Sequence, residues 1–418
     1  MLSFAVFSYS IYRSNKVLIQ FSFENYRSFK NPETLSMMAS SGKENLNNTF
    51  DTSAGRLLKS VAVFGSNAAG KSNLIKALVS SIMIIRTTGV RQLDEAIPFV
   101  DPFLFDPEGK KESSFEYDFV ANGKRYIYGF SCTKSQVCSE QLLVYKSQKP
   151  STVFKRVKES YQFTDLKYKQ ELSPLAVRNI PNKLFLATAT SLNASSTKDS
   201  FLWFSKFIDL YEPSNPIPMF TMFDRDEDGS LKAFTKRLLK ESDINISDYT
   251  IESRDVERPS PYQNGVSIPG KAYLVNAEHI ISGSNGEKSF LMPLKEESKG
   301  TQNLFFLSPQ IKRALDNGFV FCVDELDSSL HPALLLYLVG LFNSPETNPN
   351  NAQLILTTHT TELLSMHYMR RDQIYFVDKD NETGISDLYS LDDYSIRTRE
   401  DVRKSYLNGK FGAVPSIV

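Results

Sequence analysis

Residues 65–72 read Gly65-Ser66-Asn67-Ala68-Ala69-Gly70-Lys71-Ser72, and the apolar run 59–64 (KSVAVF) leads into them. From Lys71 to about Ile85 the chain is amphipathic with helical spacing. A strand, a glycine-bearing turn and a helix, in that order, are the setting in which G-x-x-x-x-G-K-[ST] reads as a phosphate loop. Gly65 and Gly70 let the backbone curl so that the N–H groups of Ser66, Asn67, Ala68 and Ala69 can face one anion. The N-terminus of the following helix adds its positive end. Lys71 suits the β- and γ-phosphates, and the Ser72 hydroxyl suits Mg²⁺.

Downstream, residues 319–325 read Phe319-Val320-Phe321-Cys322-Val323-Asp324-Glu325, an apolar strand that ends in two carboxylates. Such a strand is expected to be buried in a parallel sheet with its tip at a site. Asp324 is expected in the Mg²⁺ shell, and Glu325 as the base that polarises an attacking water. Leu326-Asp327-Ser328-Ser329-Leu330-His331-Pro332 follows, a polar turn before a helix opened by proline. A second apolar strand, 353–359 (QLILTTH), ends in His359, placed to hydrogen-bond a γ-phosphate. Ser298-Lys299-Gly300-Thr301 precedes a helix expected over 300–316 and makes a second anion cradle at a helix N-terminus.

The rest of the chain frames these pieces. Val17 to Asn25 alternates apolar and polar and predicts a strand, while residues 114–119 and 125–131 flank Asn122-Gly123, a hairpin signal. More short strands are expected over 140–170. Helices are expected from about 172 to 250, a loop over 254–272 where Pro259, Pro261 and Pro269 cluster, and strands at 272–276 and 373–377. The expected division is an N-terminal extension over 1–16, a nucleotide-binding head part with the phosphate loop over 17–171, and a helical lobe inserted over 172–270. The second head part then runs over 271–394, and a C-terminal tail over 395–418. The expected fold class is α/β, with a β-rich N-terminal part and an inserted, mainly helical lobe.

Composition narrows the classes. The 418 residues carry 48 Lys+Arg and 48 Asp+Glu, so the formal net charge is 48 − 48 = 0, which argues against a general polyanion binder. The 3 cysteines, Cys132, Cys138 and Cys322, form no metal-ligand pair, and their odd number without a secretory signal predicts a cytoplasmic location. No stretch approaches the roughly 18 apolar residues of a membrane span, and no membrane partner is expected.

Together the five motifs resemble the ABC-type ATPase heads of the SMC, RecF and overcoming-lysogenization-defect superfamily of P-loop NTPases. In that resemblance 65–72 is Walker A and Val323-Asp324-Glu325 is Walker B. Ser298 to Thr301 is a degenerate signature motif whose Ser298, Gly300 and Thr301 contact nucleotide. Asp327 belongs to the D-loop and His359 is the switch histidine. Phe23-Glu24-Asn25-Tyr26-Arg27-Ser28-Phe29 resembles the "NFRSF" opening of these heads. Gln136, Gln141 or Glu140 would take the Q-loop position.

More narrowly, Arg371-Asp372-Gln373-Ile374-Tyr375-Phe376-Val377 and the tail Tyr406 to Pro415 resemble small bacterial AAA family ATPases of the RloA and abortive-infection type. The resemblance implies ATP and Mg²⁺ as cofactors, ATP hydrolysis, and a homodimer or higher homo-oligomer built through an ATP sandwich. It also implies a conformational switch in anti-phage defence that controls a separate effector, a nuclease or RloB-like protein. The alternative is a RecF- or SMC-like DNA-maintenance ATPase that clamps DNA when ATP drives dimerisation. The roughly 60 residues after His359 are too few for a TOPRIM nuclease module, no guanine-reading Asn-Lys-x-Asp occurs, and the signature lacks the transporter form.

Other signals have plainer readings. Asp224-Arg225-Asp226-Glu227-Asp228-Gly229 opens like a Ca²⁺ loop, but Thr235 stands where the bidentate glutamate belongs, so an acidic helix-capping turn is expected. Lys155, Arg156, Lys158, Lys167 and Lys169 are interrupted by acidic residues and predict a solvated β face. Phe201, Trp203, Phe204 and Phe207 predict lobe core. Arg397, Arg399, Arg403, Lys404 and Lys410 mark a charged tail that either closes the fold or docks an effector.

Overall fold

The computed structural model describes residues 16–106, 108–211, 217–259, 267–283, 286–396 and 400–415. The described chain starts with β1 (Lys16–Glu24), β2 (Glu33–Ser36), the small hairpin β3 (Thr49–Thr52) and β4 (Gly55–Leu58), then β5 (Ser60–Phe64) and α1 (Lys71–Thr87). A meander follows: β6 (Ser113–Ala121), β7 (Lys124–Cys132), β8 (Val137–Tyr145), β9 (Pro150–Val157) and β10 (Ser160–Gln162). Next come α2 (Leu166–Ala176), α3 (Phe185–Ser191), α4 (Ser195–Lys206), β11 (Ile208–Leu210), α5 (Ile217–Asp224) and α6 (Ser230–Glu241). After β12 (Asp248–Pro259), β13 (Ser267–Gly283), β14 (Gly286–Pro293) and α7 (Lys299–Asn317), the chain runs through β15 (Val320–Val323), α8 (Pro332–Asn343), β16 (Gln353–Thr357), β17 (Ile374–Lys379), β18 (Ser386–Ser390) and α9 (Val402–Leu407).

Two sheets organise the first of two compact bodies. One is antiparallel, in the order β10-β9-β8-β7-β6-β1-β2. Its β6–β7 turn is made by Asn122 and Gly123, both at positive φ (49° and 73°), as a two-residue hairpin requires. The other sheet has the order β11-β15-β16-β5-β17-β18, parallel except for its last pair. Its β5 and β16 are buried along their whole length, as the continuous apolar runs foretell. The registers Val323↔Leu356 and Thr357↔Val63 bring the carboxyl ends of β15, β16 and β5 level. Ligands bind at this end of an open α/β sheet.

Helix α1, extended by a short turn to Val90, is the described helix long and apolar enough to cross a membrane. Its Leu74, Leu78, Ile82 and Ile85 are instead buried in the core with Phe21, Tyr117 and Phe119 of the antiparallel sheet.

The bodies divide differently from the sequence expectation. The first comprises 1–210, 314–327 and 335–418, and the second 211–313 and 328–334, with only described residues characterised. Residues 172–210 therefore belong with the first body rather than with an inserted lobe. The reason is aromatic packing: Trp203 lies 4.5 Å from Phe119, and Phe204 5.0 Å from Tyr117, centroid to centroid. Residues 271–313 belong with the second body.

That body is also less helical than expected. Much of 254–272, expected as a loop, forms the long pairing of β12 with β13, while 260–266 lie outside the described residues. Pro269 is tolerated because β14 pairs only with Asn276 to Gly283, leaving that flank of β13 without a ladder to break. The acidic turn caps α6, with Asp226 accepting from Leu231 N and Lys232 N.

Candidate functional site

The phosphate-loop geometry follows from its glycines. A Cβ on Gly65 would stand 2.4 Å from the Val377 carbonyl oxygen, and one on Gly70, at φ 123°, 2.6 Å from Ser386 Oγ. Strand β17 and the start of β18 thus press against the loop, and only glycine fits at both positions. Ser386 Oγ donates to Ala69 O at 2.5 Å, and Ser386 N donates to Ser28 O at 2.8 Å. Asn73 Nδ2 donates to Ser28 Oγ at 2.9 Å, which ties α1 to the same brace. The opening motif therefore acts locally, with Tyr26 and Phe29 buried in the core and Ser28 bonded to Asn73 and Ser386.

Lys71 is only 5% exposed, and its Nζ donates to Gly65 O at 2.9 Å and to Ser66 O at 3.0 Å. Burial pulls its pKa below the usual lysine range, while the carboxylates of Glu325, Asp324 and Asp327 act in the opposite sense and favour the charge. The ammonium of α1 and the carboxylates after β15 therefore share one electrostatic neighbourhood. Ser72 is half-buried at the start of α1.

The turn after β15 is held by the end of β16. Thr357 Oγ1 donates to Asp324 Oδ1 at 2.6 Å and accepts from Glu325 N at 2.7 Å. Leu326 N donates to Thr357 O at 3.2 Å. Asp327 Oδ2 accepts from His359 N at 2.8 Å and from Thr360 Oγ1 at 2.9 Å. Glu325 sits at φ 50°, a left-handed conformation that a non-glycine residue rarely adopts, with its side chain exposed. His359 is exposed at the adjoining strand end.

The second body holds the remaining candidates. Ser298 precedes α7; its Oγ accepts from Thr301 N at 3.1 Å and lies 2.9 Å from Thr301 Oγ1. A Cβ on Gly300 would meet Ser329 O at 2.4 Å, so this glycine lets the polar turn at 328–329 lie against the helix start. Asn303 Nδ2 adds a bond to Ser328 O at 3.2 Å.

Other sequence candidates lie in structural networks. Glu140 is buried on β8, where it pairs with Arg156 at 3.4 Å and accepts from Phe185 N and Leu186 N at the start of α3. Arg156, expected on a solvated face, is buried by that pairing. Gln141 Nε2 donates to Glu116 at 3.2 Å, and Gln136 lies in the turn before β8. Arg370, next to the Arg371-Asp372-Gln373 motif, is buried with Asp372 at 2.8 Å, and its guanidinium also holds the carbonyls of Ser40, Gly42 and Glu44. In the tail, Phe411 stacks on Phe376, and Ala413 N donates to Asp378 at 3.0 Å. Arg403 pairs with Glu362 at 2.9 Å, while Arg397 and Arg399 lie outside the described residues.

Sequence reasoning assigns no role to Thr357, Ser28 or Ser386. Thr357 carries a signal, a hydroxyl at the end of a buried strand whose middle is apolar, where a polar group needs a partner. Ser386 carries none, because its role comes from a contact 317 residues away along the chain.

The donor set suits a hard cation. A hydroxyl and a carboxylate are oxygen ligands of the kind Mg²⁺ takes, and among the described residues no cluster of three His, Cys, Asp or Glu could bind a metal alone.

The family model described as "AAA domain, putative AbiEii toxin, Type IV TA system" matches residues 60–365, well over half of the chain, and the chain belongs to that family. Solved structures similar to it include an SMC head domain from Thermotoga maritima, 11% identical, with a TM-score of 0.40, covering 91% of this chain and 99% of that one. Another is an SmcHead bound to the C-winged helix domain of ScpA, 12% identical, with a TM-score of 0.40, covering 89% and 97%. No curated protein matches.

Proposed function

We propose that the chain is an ATP-hydrolysing, ABC-type head that acts as a conformational switch. The observation that carries this reading is the buried Lys71, whose ammonium is held on the loop carbonyls of Gly65 and Ser66 and whose charge is favoured by the carboxylates of Glu325, Asp324 and Asp327. Backbone N–H groups of 65–70 and Lys71 would hold the phosphates. Ser72 and Asp324 would hold Mg²⁺, which supplies charge neutralisation on the phosphate oxygens. Glu325 orients and deprotonates the attacking water, and His359 contacts the γ-phosphate.

Ser298, Gly300 and Thr301 would meet the nucleotide of a second copy, so that two ATP molecules are sandwiched in a symmetric dimer. In the cytoplasm, such a dimer would gate a separate effector in phage defence. Family membership supports the ATPase class, and the family's description as a putative AbiEii toxin of a type IV TA system supports the defence setting.

The test is Glu325→Gln, which keeps the shape of the side chain and removes proton acceptance. Turnover of ATP should fall by on the order of 10²–10⁴ while ATP binding persists, and the variant should accumulate as an ATP-bound dimer. Wild-type turnover by Glu325→Gln would remove the base from the reading. Retention of DNA by the ATP-bound dimer at about 150 mM salt, where weak electrostatic contacts fade, would favour the DNA-clamping alternative.

A further inference from the structure

The Thr357 hydroxyl has one proton, and its two short contacts fix where that proton goes. Glu325 N can only donate, so the hydroxyl accepts there, at 2.7 Å. Its own proton therefore goes to Asp324 Oδ1, at 2.6 Å. Thr357 is fully buried, and the carbonyl of the same residue accepts from Leu326 N at 3.2 Å. One residue of β16 thus holds three consecutive residues of the turn that follows β15.

Two consequences converge on the site. With Oδ1 occupied by the hydroxyl, the Asp324 carboxylate is fixed in rotation, and Oδ2 is the oxygen left to turn toward a cation. The bond to Glu325 N supports the left-handed φ of 50°, which sets the direction of the Glu325 side chain. A metal-ligand candidate and a base candidate are aimed by a single hydroxyl.

We infer that Thr357 is a positioning residue for the hydrolytic site, acting through Asp324 on the cation and through the Glu325 backbone on the attacking water. The inference rests on the ATPase reading above. Valine reproduces the branched shape of threonine without the hydroxyl, and serine restores the hydroxyl without the methyl group.

The test compares the full-length wild type with Thr357→Val and Thr357→Ser. ATP affinity is measured in EDTA and in Mg²⁺, together with kcat and KM. In EDTA all three proteins should bind ATP alike, which also certifies an intact phosphate loop. In Mg²⁺, wild type and Thr357→Ser should gain affinity, whereas the gain in Thr357→Val should be about tenfold smaller. Its kcat should fall by roughly 10- to 100-fold with a much smaller change in KM.

Should Thr357→Val fail to bind in EDTA, Thr357→Cys is read in its place, since a thiol is a weak donor of similar size, and an intermediate loss is expected. A Val variant that keeps both the Mg²⁺ gain and kcat within about twofold of wild type overturns the inference alone. So does a wild type that binds ATP with no Mg²⁺ gain. A wild type that does not bind ATP at all overturns the ATPase reading, and this inference with it.

Discussion

The Asp327 carboxylate accepts the main-chain N–H of His359 at 2.8 Å, so the turn after β15 and the tip of β16 share one anchor. Because the bond is to the His359 backbone, replacing the histidine side chain leaves it intact. Asp327→Ala should displace the loop that carries the imidazole and lower ATP turnover about tenfold or more. If Asp327 acts through that placement, Asp327→Ala/His359→Ala should be no slower than His359→Ala alone, since coupled residues are not additive. Steady-state rates of the three variants decide this; fully additive losses would separate the two residues.

Lys71→Ala removes the charge that faces the β- and γ-phosphates in the proposed site. Nucleotide affinity itself should weaken, by an order of magnitude or more in calorimetric titration. Unchanged affinity would mean that the loop binds through its backbone alone.

Composite sites can be separated from sites complete in one chain by mixing. Lys71→Ala and Ser298→Arg chains should each be inactive alone. In a symmetric dimer of one chain of each kind, one site is doubly damaged and the other intact. Activity should return toward half the wild-type rate per mixed dimer if the sites fire independently. No recovery despite demonstrated subunit exchange would show that Ser298 acts within its own chain or that both sites must fire together.

A pH effect is expected away from the site. Glu33 of β2 is buried, which raises its pKa to about 7, although the Leu388 N–H it accepts at 3.1 Å opposes this. The fold prefers the protonated form. The stability this gives is full below about pH 4.5 and is lost as pH rises through about 7. Glu33→Gln should therefore leave the thermal midpoint nearly unchanged at pH 4 and raise it at pH 8, by on the order of 3 kcal/mol in stability. Equal midpoints of the two proteins at both pH values would show that Glu33 is solvated.

Most of the first body is legible in the sequence because its signals are local. The Asn122-Gly123 pair specifies its own turn, and the apolar runs of β5, β15 and β16 announce buried parallel strands whose ends carry Lys71, Glu325 and His359. What cannot be read there depends on distant partners. Trp203 and Phe204 are core by composition, but that they pack on Phe119 and Tyr117, and so belong to the first body, follows only from the fold. The prolines around β12 and β13 argue for a loop until the missing third strand at Pro269 is seen. Arg156 shows the same limit: its charge suggests surface, and only the apposition of Glu140 and the α3 start allows it to be buried.

The pairing of β5 also bears on how the chain is made. Within its sheet the phosphate-loop strand has only β16 and β17 as neighbours, and these begin at Gln353 and Ile374. At a synthesis rate of roughly 5–20 residues per second, Ser60–Phe64 waits on the order of 15–60 s for a partner. A largely apolar strand left unpaired that long is a target for chaperones, or for the same segment on a neighbouring nascent chain. The strand that leads into the proposed phosphate loop is thus also one exposed to misassembly during translation.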